Sequence, residues 1–155
     1  MGRRVKAPQK IFLDTNIYIL GIQILESDEA KILEAIGYNG ESFKSITSTI
    51  IISPELIDQV RRVSKYLWQK DQSGWNLSQI FNNLNIDYVV PNKDWQKESE
   101  ELKITKKIPL EDIEIYLSAK YGYADCFISS NRTLIQSIAD FECLTAQQFL
   151  QKYMQ

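Results

Sequence analysis

Lys10-Ile11-Phe12-Leu13-Asp14-Thr15-Asn16 is the stretch whose reading decides the fold. Its apolar run predicts a short buried strand, and the polar Asp-Thr-Asn that stops it is able to cap the helix beginning at Ile17. A strand that ends on a carboxylate and turns into a helix is the unit from which open α/β sheets are built. Such sheets collect ligands outside the carboxyl ends of their strands.

The chain on either side repeats the unit. Ser27-Asp28-Glu29 opens a second helix, which runs through Ile36 and is stopped by Gly37. Phe43-Lys44-Ser45-Ile46-Thr47 alternates and is read as a second strand. Ser48-Thr49 then leads into a helix carrying Ile52, Leu56, Val60, Val63 and Leu67, with Pro54 near its start. Asp71 to Gly74 is read as a break before a helix ending at Leu84, and Ile86 to Val90 as a third strand. Helices follow over Asp94 to Leu102 and, after Pro109, over Ile113 to Tyr121, ended by Gly122. Cys126-Phe127-Ile128 is a buried strand, Arg132 to Ile138 a helix, Phe141 to Leu144 the last strand, and Ala146 to Tyr153 the closing helix. Strands alternating with helices predict an α/β three-layer sandwich, its mostly parallel central sheet of about four to five strands flanked by helices.

Composition narrows the chemistry. The 155 residues suit one domain, expected over residues 10–155 after a flexible arm over residues 1–9. No apolar run approaches the roughly 20 residues that span a bilayer, and the basic start leads into only Ile11 to Leu13. A cytoplasmic protein with no membrane contact is expected. Cys126 and Cys143 are read as small apolar filler in a reducing compartment. Histidine is absent. That excludes Ser-His-Asp and Cys-His catalysis, HExxH zinc sites and histidine acid–base ribonucleolysis. Any hydrolysis must run on carboxylates, lysines or a metal held by oxygen, the ligand set of Mg²⁺ and Mn²⁺. The net charge of −2 argues against tight binding of nucleic acid by bulk charge, though not against a local basic strip.

Each polar candidate has a local alternative. Asp14 and Asn131 both follow a strand and are able to cap a helix. Glu55 reads as a solvated helix position, and Asp112 as a carboxylate favouring the positive end of a helix dipole. In order along the chain, however, they form a pattern. Ile11-Phe12-Leu13-Asp14-Thr15-Asn16 resembles the opening strand-plus-Asp of PIN domains, and Ser53-Pro54-Glu55-Leu56 resembles their helical Glu. Leu110-Glu111-Asp112-Ile113-Glu114-Ile115-Tyr116-Leu117-Ser118-Ala119 is similar to their third acidic element. Ala124-Asp125-Cys126-Phe127-Ile128-Ser129-Ser130-Asn131-Arg132-Thr133-Leu134 follows the fourth: an apolar strand, a hydroxyl, an acid or Asn, then a basic residue. The resemblance covers nearly the whole chain from Ile11 to Tyr153.

The resemblance implies a PIN-like fold and a metal-dependent ribonuclease similar to the VapC toxins of toxin–antitoxin pairs. Converging carboxylates repel unless a cation offsets them, and Mg²⁺ or Mn²⁺ held by one or two carboxylates suits such a cluster. By position, Asp14 and Asp112 are the expected main metal carboxylates. Glu55 completes the site and Asn131 adds a neutral oxygen, so Asp14, Glu55, Asp112 and Asn131 are the catalytic and metal set. Thr15, Asn16 and Ser129 are expected to support the pocket, and Arg132 to contact an RNA phosphate. Asn131 carries one charge fewer than the Asp found there in many relatives, which favours one ion over two. Glu111 would point about 100° away from Asp112 around the helix. Asp125 is read as structural. Arg61, Arg62, Lys65, Lys106, Lys107 and Lys120 are read as a solvated face, and Trp68, Trp75 and Trp95 as packing. Expected partners are RNA, a second copy through the helices between Glu26 and Leu67, and an antitoxin over the acidic pocket. The alternative is a PIN-like domain without activity that binds nucleic acid or protein. A haloacid-dehalogenase phosphatase needs a second Asp where Asn16 stands.

Overall fold

The computed structural model describes residues 5–154. Five strands make one sheet: β1 (Lys10–Leu13), β2 (Thr49–Ile52), β3 (Ile86–Tyr88), β4 (Cys126–Ile128) and β5 (Glu142–Leu144). The order across the sheet is β3-β2-β1-β4-β5 and every pairing is parallel, so the sheet is wholly rather than mostly parallel. Among the described residues eight α-helices flank it: α1 (Thr15–Gln23), α2 (Asp28–Ala35), α3 (Pro54–Leu67), α4 (Lys70–Asn83), α5 (Lys93–Thr105), α6 (Ile113–Tyr121), α7 (Arg132–Ser137) and α8 (Ala146–Tyr153).

The strand order follows from burial. Every residue of Ile11–Leu13, Ile50–Ile52 and Cys126–Ile128 is inaccessible to solvent, so the three central strands read as unbroken apolar runs. The edge strands β3 and β5 are only half-buried. Phe12 and Phe127, paired across β1 and β4, stack with ring centroids 5.5 Å apart. The chain steps from β1 to β2 to β3 in one direction, then returns past β1 to β4 and β5. Right-handed crossovers therefore place α1–α4 on one face and α5–α7 on the other. Packing of α1 on α2 and α3, and of α5 on α6, follows that division, while α3 and α6 also meet, with Ser118 Oγ donating to Ser53 Oγ at 2.7 Å. The direction of winding reverses between β1 and β4, the topological switch point at which ligands bind in such sheets.

Two sequence expectations are corrected. No strand forms over Phe43–Thr47; a 3-10 turn spans Glu41–Phe43, and the Ser45 and Ile46 amides donate to Ala35 O. The second strand is Thr49–Ile52, a stretch assigned from sequence to the start of the next helix. Alternation marks a strand with one wet face, whereas a central parallel strand is apolar throughout, as Ile50-Ile51-Ile52 is. The helix starts at Pro54, where a missing N–H costs nothing, with Ser53 Oγ accepting from Leu56 N–H at 3.2 Å. The second correction concerns Asp71–Gly74, which lies within α4 and breaks nothing. Gly74 has open space around it, so neither packing nor a special backbone angle accounts for its place there.

Of the arm expected over residues 1–9, the first four lie outside the described residues. At its end Pro8 O accepts from Ser48 Oγ at 2.5 Å, and Gln9 O accepts from Thr49 N–H at 2.8 Å. No helix among the described residues is long and apolar enough to cross a membrane.

Candidate metal and active site

The end of β1 delivers Asp14 to the switch point. Its backbone N–H donates to Ile128 O at 2.9 Å, extending the β1–β4 ladder by one step. The side chain is 6% exposed. Asp14 Oδ1 accepts from Thr15 N–H at 2.8 Å, while Oδ2 accepts from Ser129 Oγ at 2.7 Å and, more distantly, from Asn16 Nδ2 at 3.4 Å. Asn16 also ties the two strand ends together, since its Oδ1 accepts from Ser130 N–H at 3.1 Å. Burial raises the Asp14 carboxyl above its ordinary pKa, opposed by the hydrogen bonds from Ser129, Thr15 and Asn16. A carboxylate with two oxygens offers about four lone-pair sites, so Oδ1 keeps one free after these bonds.

Ser129 relays the contact onward. It is fully buried at the end of β4, and its Oγ accepts from Asn131 N–H at 2.9 Å while donating to Asp14. Asn131 caps α7, its Oδ1 accepting from Leu134 N–H at 3.1 Å. Its Nδ2 donates to Asp112 Oδ2 at 3.3 Å. Asn131 thus turns a donor, not a free oxygen, toward Asp112. Asp112 is the N-cap residue of α6 but its side chain makes no capping bond, which leaves its carboxylate available. Its pKa is raised, first by burial, then by the charges of Asp14 and Glu111, with the Asn131 hydrogen bond opposing. The two acids therefore feel one another. Among the described residues no lysine or arginine forms an ion pair with either.

Glu55 reaches the group by a different route. It lies in the first turn of α3, and its Oε1 accepts from Gln59 Nε2 at 3.0 Å. Gln59 Oε1 in turn accepts from Thr15 Oγ1 at 2.7 Å. Glu55 also approaches Arg62 at 3.8 Å and lines a recess of about 360 Å³ with Pro54, Trp95 and Glu114. Hydrogen bonds thus link Asp14, Ser129, Asn131 and Asp112 in direct succession, while Glu55 connects to Asp14 only through Gln59 and Thr15. Among the described residues no group of three Asp, Glu, Cys or His side chains gathers closely enough to ligate an ion. Arg132, beside Asn131, is exposed and forms no ion pair among the described residues.

Two neighbouring carboxylates, both raised by burial and neither paired with a lysine or arginine among the described residues, suit a hard divalent ion that keeps most of its waters. They do not make a closed protein cage. Gln59 is not marked out by the sequence: it stands one turn beyond Glu55 on α3, a spacing that any helix offers, and its bond to Thr15 appears only in the fold. Glu111 is exposed, and Asp125 accepts from Lys10 N–H at 3.0 Å in a structural role.

No family model and no curated protein sequence matches the chain. Solved structures do match in fold. A chain of VapBC2 from Rickettsia felis, bound to a DNA fragment from its promoter, has a TM-score of 0.63 at 16% identity, over 88% of this chain and 98% of that one. VapBC-1 from nontypeable Haemophilus influenzae gives 0.61 at 18% identity, over 89% and 98%. A toxin–antitoxin complex from Klebsiella pneumoniae gives 0.55 at 20% identity, over 85% and 98%. At such identities the likeness establishes a shared fold, the three-layer PIN-like arrangement expected from the sequence.

Proposed function

We propose that the chain is a metal-dependent endoribonuclease whose working edge is the carboxyl end of β1 and β4. The observation that carries this reading is the chain of hydrogen bonds from Asp14 through Ser129 and Asn131 to Asp112. It holds two carboxylates together at the switch point with no side-chain cation among the described residues to offset them. Asp14 and Asp112 hold a Mg²⁺ or Mn²⁺ ion through the carboxylate positions that their hydrogen bonds leave free. Such an ion, when bound, offsets their charge and polarises a phosphoryl oxygen. In this reading Glu55, in the first turn of α3, orients the attacking water. Ser129 and Asn131 fix the two metal carboxylates, Thr15 and Asn16 support the turn that carries Asp14, and Arg132 contacts a phosphate of the RNA.

The fold neighbours come from complexes of toxin and antitoxin, which supports the further reading that this chain is the toxin of such a pair. An antitoxin segment then covers the acidic edge, and the protein works in the cytoplasm as a homodimer joined through the helices between Glu26 and Leu67. One observation favours a second reading, a PIN-like binding module without activity: among the described residues no third carboxylate joins the other two. Titration with Mn²⁺ separates the two. The nuclease reading expects one ion to bind and Asp14→Asn to abolish that binding. Equal binding by wild type and variant contradicts it, and an absence of binding favours the module.

A further inference from the structure

Glu55 stands outside the relay that joins Asp14 to Asp112 and is held by partners of its own. Its side chain is about a third exposed, and Arg62, nearly two-thirds exposed, lies closer to Asp58 at 3.0 Å than to Glu55 at 3.8 Å. Exposed pairs of this kind contribute little. A directional hold comes instead from Gln59, one turn further along α3. Its amide places Nε2 3.0 Å from Glu55 Oε1, while Oε1 receives the Thr15 hydroxyl at 2.7 Å. Only one orientation of the amide works. Turned over, its oxygen would face the Glu55 carboxylate, acceptor against acceptor. Thr15 is the residue whose N–H donates to Asp14 Oδ1 at 2.8 Å. Gln59 therefore joins the helix bearing Glu55 to the turn bearing Asp14 through one amide and one hydroxyl.

We infer that Gln59 is a positioning residue. It occupies Glu55 Oε1, leaves Oε2 for the water shell of an ion held by Asp14 and Asp112, and fixes the distance between Glu55 and Asp14. The inference rests on the nuclease reading above. Supporting residues around a metal ligand change affinity or activity by about 10–100-fold when removed. Gln59→Met keeps the volume and deletes both hydrogen bonds, and Thr15→Val deletes the bond from its other end.

The test measures Mn²⁺ affinity by electron paramagnetic resonance for wild type, Gln59→Met, Thr15→Val, Glu55→Gln and the double variant Glu55→Gln/Gln59→Met, with thermal melting to confirm folding. The expected result is a loss of about 10-fold in Gln59→Met and Thr15→Val. In the Glu55→Gln background, Gln59→Met should change affinity by less than about 2-fold, because the residue it positions is gone. An equal loss in both backgrounds makes Gln59 merely structural and overturns the proposal. Affinity unchanged by Gln59→Met, or by Glu55→Gln, overturns it as well while leaving the nuclease reading in place. Failure of the wild-type chain to take up Mn²⁺ removes that reading and the proposal together. If Gln59→Met does not fold, Thr15→Val, alone and with Glu55→Gln, carries the same comparison.

Discussion

Asn131 donates its side-chain N–H to Asp112 Oδ2 at 3.3 Å, and its own oxygen is spent on Leu134 N–H. The residue at this position therefore sets the charge balance of the acidic edge without adding to it. Asn131→Asp would still cap α7 but would turn a carboxylate toward Asp112. In EDTA the variant is expected to melt lower than wild type, by roughly 2–4 °C for each kcal/mol of repulsion. Added Mn²⁺ should raise its melting temperature by more than it raises that of wild type. Calorimetry with and without the ion checks both signs; a variant that is more stable in EDTA contradicts the charge argument.

Asp14 gives a pH-dependent signature. Burial raises its carboxyl above the ordinary value of 3.8, so the folded state holds that proton more tightly than the unfolded chain does. Stability attached to this group is present at low pH and is lost as pH rises through the window between the unfolded and folded values. Asp14→Asn removes that penalty. Without metal, the variant should melt higher than wild type at neutral pH, by a few degrees if the relief is about 1 kcal/mol. The difference should vanish in acid. Melting curves across pH 3 to 8 decide the matter, and a variant less stable at neutral pH than in acid relative to wild type goes against it.

Ser129 bonds on both sides while fully buried. Ser129→Ala leaves Asp14 Oδ2 with only the 3.4 Å contact from Asn16 and strips Asn131 N–H of its partner. A buried group left unpaired costs about 1–3 kcal/mol, which urea unfolding measures as a lowered midpoint. Mn²⁺ affinity should fall in the same variant. A midpoint unchanged from wild type would show that the relay is not under load.

Away from the site, Gly21 is where α1 meets α2. A Cβ there would lie 2.6 Å from Leu33 Cδ1 and 3.0 Å from Glu29 O, and the backbone atom cannot swing away. Gly21→Ala is expected to destabilise by about 1–3 kcal/mol, the usual cost of overpacking. Gly74→Ala, in open space within α4, should instead stabilise slightly, since alanine favours a helix by up to about 1 kcal/mol over glycine. Chemical denaturation of the two variants side by side provides the comparison.

Much of the sheet was legible because its central strands are short and wholly apolar, bounded by polar turns. Ile11–Leu13 and Cys126–Ile128 declared themselves in this way. Thr49–Ile52 did not, because its apolar run continues through Ser53 and Pro54 into an amphipathic helix and gives no periodic break. The alternating Phe43–Thr47 supplied a false substitute. For the site, Asp14 and Asn131 were legible as the residues just beyond two strands, and the sheet brings those ends together. Asp112 was legible at the head of its helix. Gln59 and the direction in which Asn131 turns its amide were not, since both depend on which side chains meet across α1, α3, α6 and α7. A linear pattern carries no such information.

Cleavage itself is the most direct measurement. The purified chain and its Asp112→Asn variant are incubated with single-stranded and structured RNAs in Mg²⁺, Mn²⁺ or EDTA, and the products are resolved by length. Internal cutting is expected with either ion and none in EDTA, with a loss of roughly 100-fold or more in the variant, as when a key electrostatic contact to the transition state is removed. Cutting that survives EDTA, or that proceeds equally in Asp112→Asn, would contradict a shared metal edge at Asp14 and Asp112.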